Sequence, residues 1–343
     1  MNILSLQESD SMAREANFLC HCIESRQEEL RKASVGQAIA EDAAIFSVVQ
    51  ADRNIVFRIK KDFRWYLKMP SGGSSEPILR EMVGAEHVTK VLAQEKGYSH
   101  PLVVRGSGDS SYILYSEILG QQLNRAFYAH CFFPFLGRSK QLKNGFGHLG
   151  QALGCLHRTN SSSRNPVATR DLVEEVHRTL KNVRQSDQIV DAIDSYVCKH
   201  NIQPAPQTTF IHGNLKLENI LFGSPKVSFI DFENCGHGSP YEDLSWPASQ
   251  IILTRSILGF PWNLASQTLS GFLESYQCYG EYEREHLLEY ITLRISLYYI
   301  QMTLGKFGRP TIAGLPIRRA ILRNIISELI AGNVAKALPG VAI

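Results

Sequence analysis

Two short apolar runs separated by a tight turn constrain the fold of this chain more than any other feature of its sequence. Residues 220–222 and 227–230 are apolar apart from Ser228, and the Gly-Ser-Pro-Lys run between them has turn chemistry, which predicts a β-hairpin. Asn219 precedes the first strand and Asp231 follows the second, so the hairpin returns both side chains to the same end. An amide oxygen and a carboxylate are hard oxygen ligands, and the pair therefore predicts a Mg²⁺ site.

The rest of the chain predicts a small sheet followed by a larger helical unit. The predicted elements before residue 120 are a leading helix over residues 12–33, strands over residues 44–49, 55–59 and 63–68, a helix from Pro77 to about Ala93, and a hairpin of residues 102–104 and 112–117. After Gly120 helical spacing dominates, as in residues 146–156, where apolar side chains recur every three or four positions. This order of elements is typical of an α+β protein with two lobes.

Composition and charge argue against several classes of protein. The 343 residues carry a formal net charge of only +3, which gives no electrostatic footprint for nucleic-acid binding. The most apolar long segment, residues 287–304, contains Glu289, Arg294 and Gln301, so it predicts a buried helix and not a membrane span. Seven scattered cysteines and an N-terminus without the pattern of a secretory signal favour reduced thiols and a cytoplasmic location.

Four motifs occur in a fixed order in the second half of the chain. They are Leu149–His157, which ends in Leu-His, then His212–Leu215 followed by Asn219, then Ile230–Glu233, and finally Gly238–Ser245. In this order they resemble the Leu-His helix, the His-Gly-Asp-Leu…Asn loop, the metal-binding strand end and the Gly-x-Pro-x-x-Asp-Leu element of the aminoglycoside phosphotransferase family, within the protein-kinase-like superfamily. Any single motif could arise by chance, whereas four in order make coincidence a poor explanation.

The resemblance covers roughly residues 44–304 and implies a bilobal, protein-kinase-like α+β fold. Residues 1–117 would form an N-lobe with the leading helix, a five-stranded antiparallel sheet and one further helix, and residues 118–343 a helical C-lobe with the catalytic loop and the metal-binding hairpin. The implied cofactors are ATP, or another nucleoside triphosphate, and Mg²⁺ held by Asn219 and Asp231. The implied reaction is phosphorylation of a hydroxyl of a small molecule, such as an aminoglycoside, a sugar or an amino alcohol.

The resemblance also assigns nucleotide-binding residues to the N-lobe. Lys68, at the end of the third strand, is expected to contact the α- and β-phosphates. Glu81 lies on the inward face of the following helix, where a buried carboxylate needs a cation, so we expect it to pair with Lys68; Glu86 is the weaker candidate. Backbone groups of Ser116-Glu117-Ile118 are expected to form the hinge that reads the adenine edge.

Asn214 departs from the family pattern, because the family has a catalytic aspartate at this position. Asparagine can accept a hydrogen bond from the acceptor hydroxyl but cannot take its proton at neutral pH. Three interpretations stay open: an Asp-to-Asn variant of an active enzyme, a natural enzyme that is slow or differently assisted, and a pseudokinase that binds nucleotide and acts through a protein partner.

The remaining site residues are assigned by their place in the loop. Lys216 either contacts the transferring phosphate or is an exposed loop lysine. His212 is predicted to pack as a structural residue, and Asp243 to brace the loop through backbone hydrogen bonds. The glutamates of residues 274–289 would suit a cationic acceptor, but a solvated helix face explains them better. Four aromatic residues either stack on a sugar or, as is commoner for aromatic side chains, fill the core: Trp246, Trp262, Tyr276 and Tyr279.

Overall fold

A computed structural model describes most of the chain from residue 45 onward. The described residues are 45–51, 54–60, 64–70, 76–93, 97–99, 103–105, 113–116, 118, 120–132, 139–158, 171–183, 187–200, 208–223, 226–258, 262–303 and 315–338. The predicted leading helix over residues 12–33 lies outside them.

Strands and helices follow one another in the order that the sequence predicts for the first part of the chain. The strands are β1 (Ile45–Ala51), β2 (Asn54–Lys60), β3 (Arg64–Pro70), β4 (Val103–Arg105), β5 (Ile113–Ser116), β6 (Gln121–Gln122), β7 (Thr209–Ile211), β8 (Ile220–Gly223), β9 (Lys226–Phe229) and β10 (Gly236–Gly238). The helices are α1 (Glu76–Leu92), α2 (Leu123–Phe132), α3 (Ser139–Arg158), α4 (Leu172–Leu180), α5 (Gln188–His200), α6 (Pro240–Leu258), α7 (Trp262–Gln277), α8 (Arg284–Thr303), α9 (Leu315–Ile330) and α10 (Val334–Ala337), and a single 3-10 turn covers Leu217–Asn219.

The backbone divides into two compact units, one made of Met1–Met82 and Pro101–Glu117 and the other of Val83–His100 and Ile118–Ile343. The smaller unit contains a five-stranded antiparallel sheet in the order β1-β2-β3-β5-β4. The meander and the hairpin predicted from the sequence are therefore both confirmed. The fold is α+β and protein-kinase-like, with the antiparallel sheet in the smaller unit and most helices in the larger.

Helix α1 belongs to both units, because the boundary passes between Met82 and Val83. Ile78 and Met82 pack against Ile113 of β5 inside the smaller unit. Further along the same helical face, Val88 and Leu92 are completely buried. The spacing of these apolar side chains is the i, i+4 pattern of an amphipathic helix, which is why the helix could be predicted.

The larger unit carries two small sheets among its helices. The hairpin β8–β9 pairs in antiparallel register from Ile220 opposite Phe229 to Gly223 opposite Lys226, and β6 adds a third strand beside β8. A separate ribbon joins β7 to β10. The predicted hairpin is confirmed, whereas the sequence did not predict β6 or β10, because strands of two or three residues are too short to show a period.

Helices α3 and α7 approach each other closely through glycines of α3. A Cβ atom at Gly150 would overlap the carbonyl oxygen of Phe272, and one at Gly154 would lie 2.8 Å from the carbonyl oxygen of Tyr276. The absence of a side chain therefore lets the two backbones meet. Helix α8 is buried over much of its length, and among the described residues no helix is both long and apolar enough to cross a membrane.

We predict that Gly150→Ala lowers the free energy of unfolding by about 1–3 kcal/mol, because the added methyl group must push α3 away from α7. Gly271→Ala in α7 is the matched control. Its Cβ would meet nothing within 4 Å, so we expect it to stabilise the protein by about 0.5–1 kcal/mol through helix propensity. Urea unfolding of both variants measures the difference, and equal stabilities would contradict the proposed helix contact.

Candidate active site

A single carboxylate, Asp243 near the start of α6, holds the loop between β7 and β8. It is completely buried and accepts hydrogen bonds from two successive backbone amides. The N–H of His212 donates to its Oδ2 atom at 2.7 Å, and the N–H of Gly213 donates to its Oδ1 atom at 2.9 Å. The bracing role predicted for Asp243 is therefore confirmed, and these charge-assisted bonds determine where the loop begins.

His157, the last but one residue of α3, completes the surroundings of Asp243. Its Nε2 atom lies 3.2 Å from Oδ2 of Asp243, and its Nδ1 atom lies 3.0 Å from the hydroxyl of Tyr276. Burial alone would raise the pKa of Asp243, but the hydrogen bond and charge of His157 and the contacts with His212 outweigh burial and hold that pKa below its ordinary value. The sequence predicted the helix that ends at His157 but missed this contact.

His212 is a buried structural residue, as predicted. Its ring packs against Phe229 and Phe232, with centroids 6.1 Å and 4.8 Å away. The Nε2 atom lies 3.0 Å from the carbonyl oxygen of Ile230, whereas Nδ1 accepts a hydrogen bond from the N–H of Asn214 at 3.4 Å. These partners assign the neutral tautomer with the proton on Nε2. Burial lowers the pKa of His212 despite the nearby carboxylates, so the ring is neutral at pH 7.

Two residues of the site have left-handed backbone conformations. Gly213 has a φ of +74°, and a Cβ atom there would overlap the carbonyl oxygen of Asn234, so glycine is required. Asp231 has a φ of +69° and is the one non-glycine residue in the described part of the chain with a positive φ. That conformation costs roughly 1–2 kcal/mol, and strain of this kind is often found at functional positions.

The hairpin brings Asn214, Asn219 and Asp231 together. The side-chain amide of Asn219 donates to the carbonyl oxygen of Asn214 at 2.9 Å. The amide nitrogens of both asparagines also lie 3.4 Å from the same oxygen, Oδ2 of Asp231. The backbone N–H of Ile230 donates to the carbonyl oxygen of Asn219 at 3.0 Å, which joins the two ends of the hairpin. All three side chains are partly accessible to solvent.

The donor set of this cluster fits a hard divalent cation. Since the Asn219 nitrogen is used within the loop, its amide oxygen and the carboxylate of Asp231 are the atoms that could hold a metal. Within the described ranges, no group of three or more His, Cys, Asp or Glu side chains is arranged to hold a metal ion. Phosphate oxygens and water would therefore have to supply the remaining ligands, as is usual for Mg²⁺.

The smaller unit contains the predicted ion pair. Nζ of Lys68 lies 2.5 Å from Oε2 of Glu81, and the hydroxyl of Tyr115 donates to Oε1 of Glu81 at 2.7 Å. Both charged residues are buried, whereas Glu86, the weaker candidate, is exposed. The pair itself is therefore present, and the contact of Lys68 with a nucleotide stays a prediction.

The predicted hinge lies at a boundary between the two units. Ser116 ends β5 in the smaller unit, and Ile118 belongs to the larger unit. Glu117, between them, lies outside the described residues. The adenine contacts predicted for these three residues stay a prediction.

Lys216 lies in the wall of a cavity within the larger unit. The cavity has a volume of about 460 Å³, and its lining includes Tyr128, Lys216, Trp246, Arg294, Tyr298 and Arg318. Nζ of Lys216 lies 5.1 Å from the ring centroid of Trp246, and the guanidinium of Arg294 lies 4.1 Å from it. Because Lys216 follows Asn214 by two residues, the cavity borders the candidate catalytic loop.

Sequence analysis found only part of this cavity. Trp246 was among the aromatic candidates, whereas Tyr276, which was another, is buried in the core. Arg294 and Arg318 were not assigned to the site. The sequence did contain a signal for Arg294, because it lies in an otherwise apolar segment and an arginine in a buried helix requires a partner. In the structure that partner is Glu242, at 3.0 Å.

The acidic run of the sequence does not line the cavity. Among its glutamates, Glu281, Glu283 and Glu285 are exposed, and none of the run is part of the cavity lining. Of the two explanations, a solvated surface is the one that agrees with the structure.

Comparison with solved structures identifies the fold. A choline/ethanolamine kinase family protein from Mesorhizobium loti is 17% identical with a TM-score of 0.58, over 90% of this chain and 97% of that chain. An amicoumacin kinase is 15% identical with a TM-score of 0.59, over 86% and 90%. A spectinomycin phosphotransferase is 16% identical with a TM-score of 0.52, over 90% and 97%. At these identities the likeness establishes a shared kinase-like fold.

The family follows from the sequence profile. The profile described as the phosphotransferase enzyme family matches residues 47–276, and the chain belongs to that family. No curated protein matches the chain in sequence. The resemblance drawn from the four motifs is thereby confirmed.

The buried neutral state of His212 predicts how stability depends on pH. Between its lowered folded-state pKa and the ordinary value of 6.5, the unfolded chain binds a proton that the folded chain does not. The contribution of His212 to the free energy of unfolding should therefore fall as pH decreases below about 6.5, by at most about 1.4 kcal/mol per pH unit, whereas Glu242, whose pKa is raised to about 7, contributes in the opposite direction.

Urea unfolding between pH 7.5 and 5 measures this dependence. Because His87 and His130 also have pKa values lowered by burial, the test compares slopes: His212→Gln should give a smaller slope than the natural chain. An unchanged slope in His212→Gln would show that the ring does not titrate as the structure indicates.

Proposed function

We propose that this protein is an ATP- and Mg²⁺-dependent phosphotransferase that phosphorylates a hydroxyl group of a small molecule. The observation that carries the proposal is the convergence of Asn214 and Asn219 on one carboxylate oxygen of Asp231. Membership of the phosphotransferase enzyme family supports the reaction class.

Each of the nucleotide-binding residues has a proposed role. Lys68, oriented by Glu81, contacts the α- and β-phosphates of ATP, and backbone groups of residues 116–118 contact the adenine. Asn219 and Asp231 hold Mg²⁺, which when bound neutralises charge on the phosphates. Two of the similar structures contain nucleotides, AMP-PNP with Ca²⁺ in the amicoumacin kinase and ADP in the spectinomycin phosphotransferase.

Asn214 replaces the base of the family motif and determines what the loop can do in the reaction. In the transfer, the acceptor oxygen bonds to the γ-phosphorus as the bond from phosphorus to the ADP oxygen breaks, and the hydroxyl proton is released. The Oδ1 atom of Asn214 can accept a hydrogen bond from that hydroxyl and orient it, but the proton must pass to water. Phosphoryl transfer depends mainly on positioning and charge neutralisation, so turnover survives at a reduced rate.

Lys216 is proposed to stabilise the transferring phosphate. It is the nearest cation in sequence to Asn214, and it lies in the cavity wall over the Trp246 ring.

The acceptor is a small hydroxylated molecule, of the aminoglycoside, sugar or amino-alcohol class that the family resemblance suggests. A cytoplasmic location, expected from the scattered cysteines of the sequence, is part of the same proposal.

One observation favours a second candidate function. The position of the expected base carries an amide that donates toward Asp231 and cannot accept a proton. A pseudokinase that binds nucleotide and acts through a protein partner would also need Lys68 for the phosphates and Asn219 and Asp231 for Mg²⁺.

Asn214→Asp separates the two functions. If the chain is an enzyme, restoring the carboxylate should raise the rate of ATP-dependent phosphorylation about 10²- to 10⁴-fold, the usual contribution of a general base. The rate is measured with a panel of hydroxylated acceptors at equal protein and MgATP concentrations. Asn324→Asp, at an exposed position of α9, is the control for an unspecific charge effect. Nucleotide binding without transfer by either the natural chain or Asn214→Asp would favour the pseudokinase.

Asp231→Asn tests the metal site that both functions share. We expect it to weaken the Mg²⁺-dependent part of ATP binding about 10- to 100-fold, because a charge-assisted contact is lost while the shape of the side chain is kept. Thermal shift with ATP, with and without Mg²⁺, measures this part. Asp194→Asn, on the exposed face of α5, makes the same change elsewhere and should behave like the natural chain. Equal Mg²⁺ dependence in all three proteins would refute the assignment.

A further inference from the structure

The cavity beside the candidate catalytic loop is lined by more cations than carboxylates. Lys216, Arg294 and Arg318 line it, and Glu218 is the one acidic side chain in its lining. A cavity that selects a polyamine or a quaternary ammonium needs carboxylates or an unoccupied aromatic face. Here the ring of Trp246 already lies beside Lys216 and Arg294.

The existing contacts of these charges leave two cations available. Arg294 is neutralised by Glu242 at 3.0 Å, and Glu218 accepts a hydrogen bond from Gln250 at 2.9 Å. Neither Lys216 nor Arg318 has an ion-pair partner among the residues that the structure describes. Arg318 is exposed near the start of α9, whereas Lys216 is partly buried, so a ligand could reach both head groups.

Two buried polar groups of the same wall also have no partner. Ser249 is 1% exposed, and neither its Oγ atom nor Nε1 of Trp246 has a hydrogen-bond partner within the described part of the chain. Both residues line the cavity. A buried polar group without a partner is costly, and the indole N–H can only donate. The ammonium of Lys216 and the guanidinium of Arg318 also line the cavity and can only donate, so an acceptor-rich ligand is the kind that satisfies them.

We propose that this cavity binds the phosphate acceptor, and that the acceptor carries an anionic group, a carboxylate or a phosphate, in addition to its hydroxyl. Arg318 binds the anionic group, Lys216 adds positive charge on the side of the transferring phosphate, and Trp246 and Ser249 belong to the wall. The inference rests on the proposed phosphotransferase function and narrows its acceptor class. A cationic aminoglycoside or amino alcohol is disfavoured, because it would face Lys216 and Arg318 with only Glu218 to neutralise it.

Titration calorimetry with matched alcohols tests the proposal. The probes are gluconate and glucose 6-phosphate against glucose, glycerate against glycerol, and choline as the cation, all with saturating MgADP so that phosphate-binding groups of the nucleotide site are occupied. At least one anionic probe should bind about tenfold or more tightly than its neutral counterpart, and its affinity should fall with added salt. The comparison of gluconate with glucose 6-phosphate separates carboxylate from phosphate.

Arg318→Gln should weaken binding of the anionic probe about 10- to 100-fold and leave the affinity for MgATP unchanged. Arg284→Gln removes the same charge from an exposed position of α8 outside the cavity and should leave both affinities unchanged. The proposal is overturned if no anionic probe binds, if neutral glucose or choline binds equally well, or if Arg318→Gln has no effect.

The same measurements distinguish this inference from the proposed function. An anionic probe could bind in a way that depends on Arg318 and yet not be phosphorylated, either by the natural chain or by Asn214→Asp. That result would support the cavity assignment and contradict the proposed enzymatic function. Phosphorylation of glucose or choline in preference to the anionic probes supports the enzymatic function while the anionic acceptor is ruled out.

Discussion

The buried carboxylate of Asp243 is the interaction on which the candidate site depends. It receives the backbone N–H groups of His212 and Gly213 and lies against the ring of His157, so it joins α3, α6 and the loop after β7. A fully buried carboxylate is stable only when its oxygens are satisfied by such donors. With the start of the loop determined, the hairpin that follows can present Asn214 and Asp231 to each other.

The neighbouring residue, Glu242, performs a different task. It pairs with Arg294 of α8 and accepts a hydrogen bond from the N–H of Leu172 at 2.6 Å, at the start of α4. Burial raises the pKa of Glu242 to about 7 even though the charge of Arg294 acts to lower it. The guanidinium of Arg294 in turn lies over Trp246, so a buried ion pair positions the aromatic wall of the cavity. Two consecutive carboxylates thus support the loop on one side and the cavity on the other.

Much of the small sheet and the hairpin could be predicted because local patterns determine them. Strands β1–β3 are short apolar runs between turn residues, and the Gly-Ser-Pro-Lys turn separates β8 from β9. The pairing of Lys68 with Glu81 was also predictable, since a helical period places Glu81 on the buried face of α1 and a buried carboxylate requires a cation. The contact of His157 with Asp243 was not, because 86 residues separate the two and no local period connects them.

The sequence by itself determined the identities and order of the polar residues at the hairpin ends, and with them the family. Only the tertiary structure decided the surroundings of these residues. Packing of α6, α8 and α9 brings Trp246, Arg294 and Arg318 into one cavity with Lys216, and it leaves the acidic run of residues 274–289 outside. The physical reason is that the charge of a cavity depends on which helix faces meet, and that choice is made by the burial of apolar side chains across the whole unit.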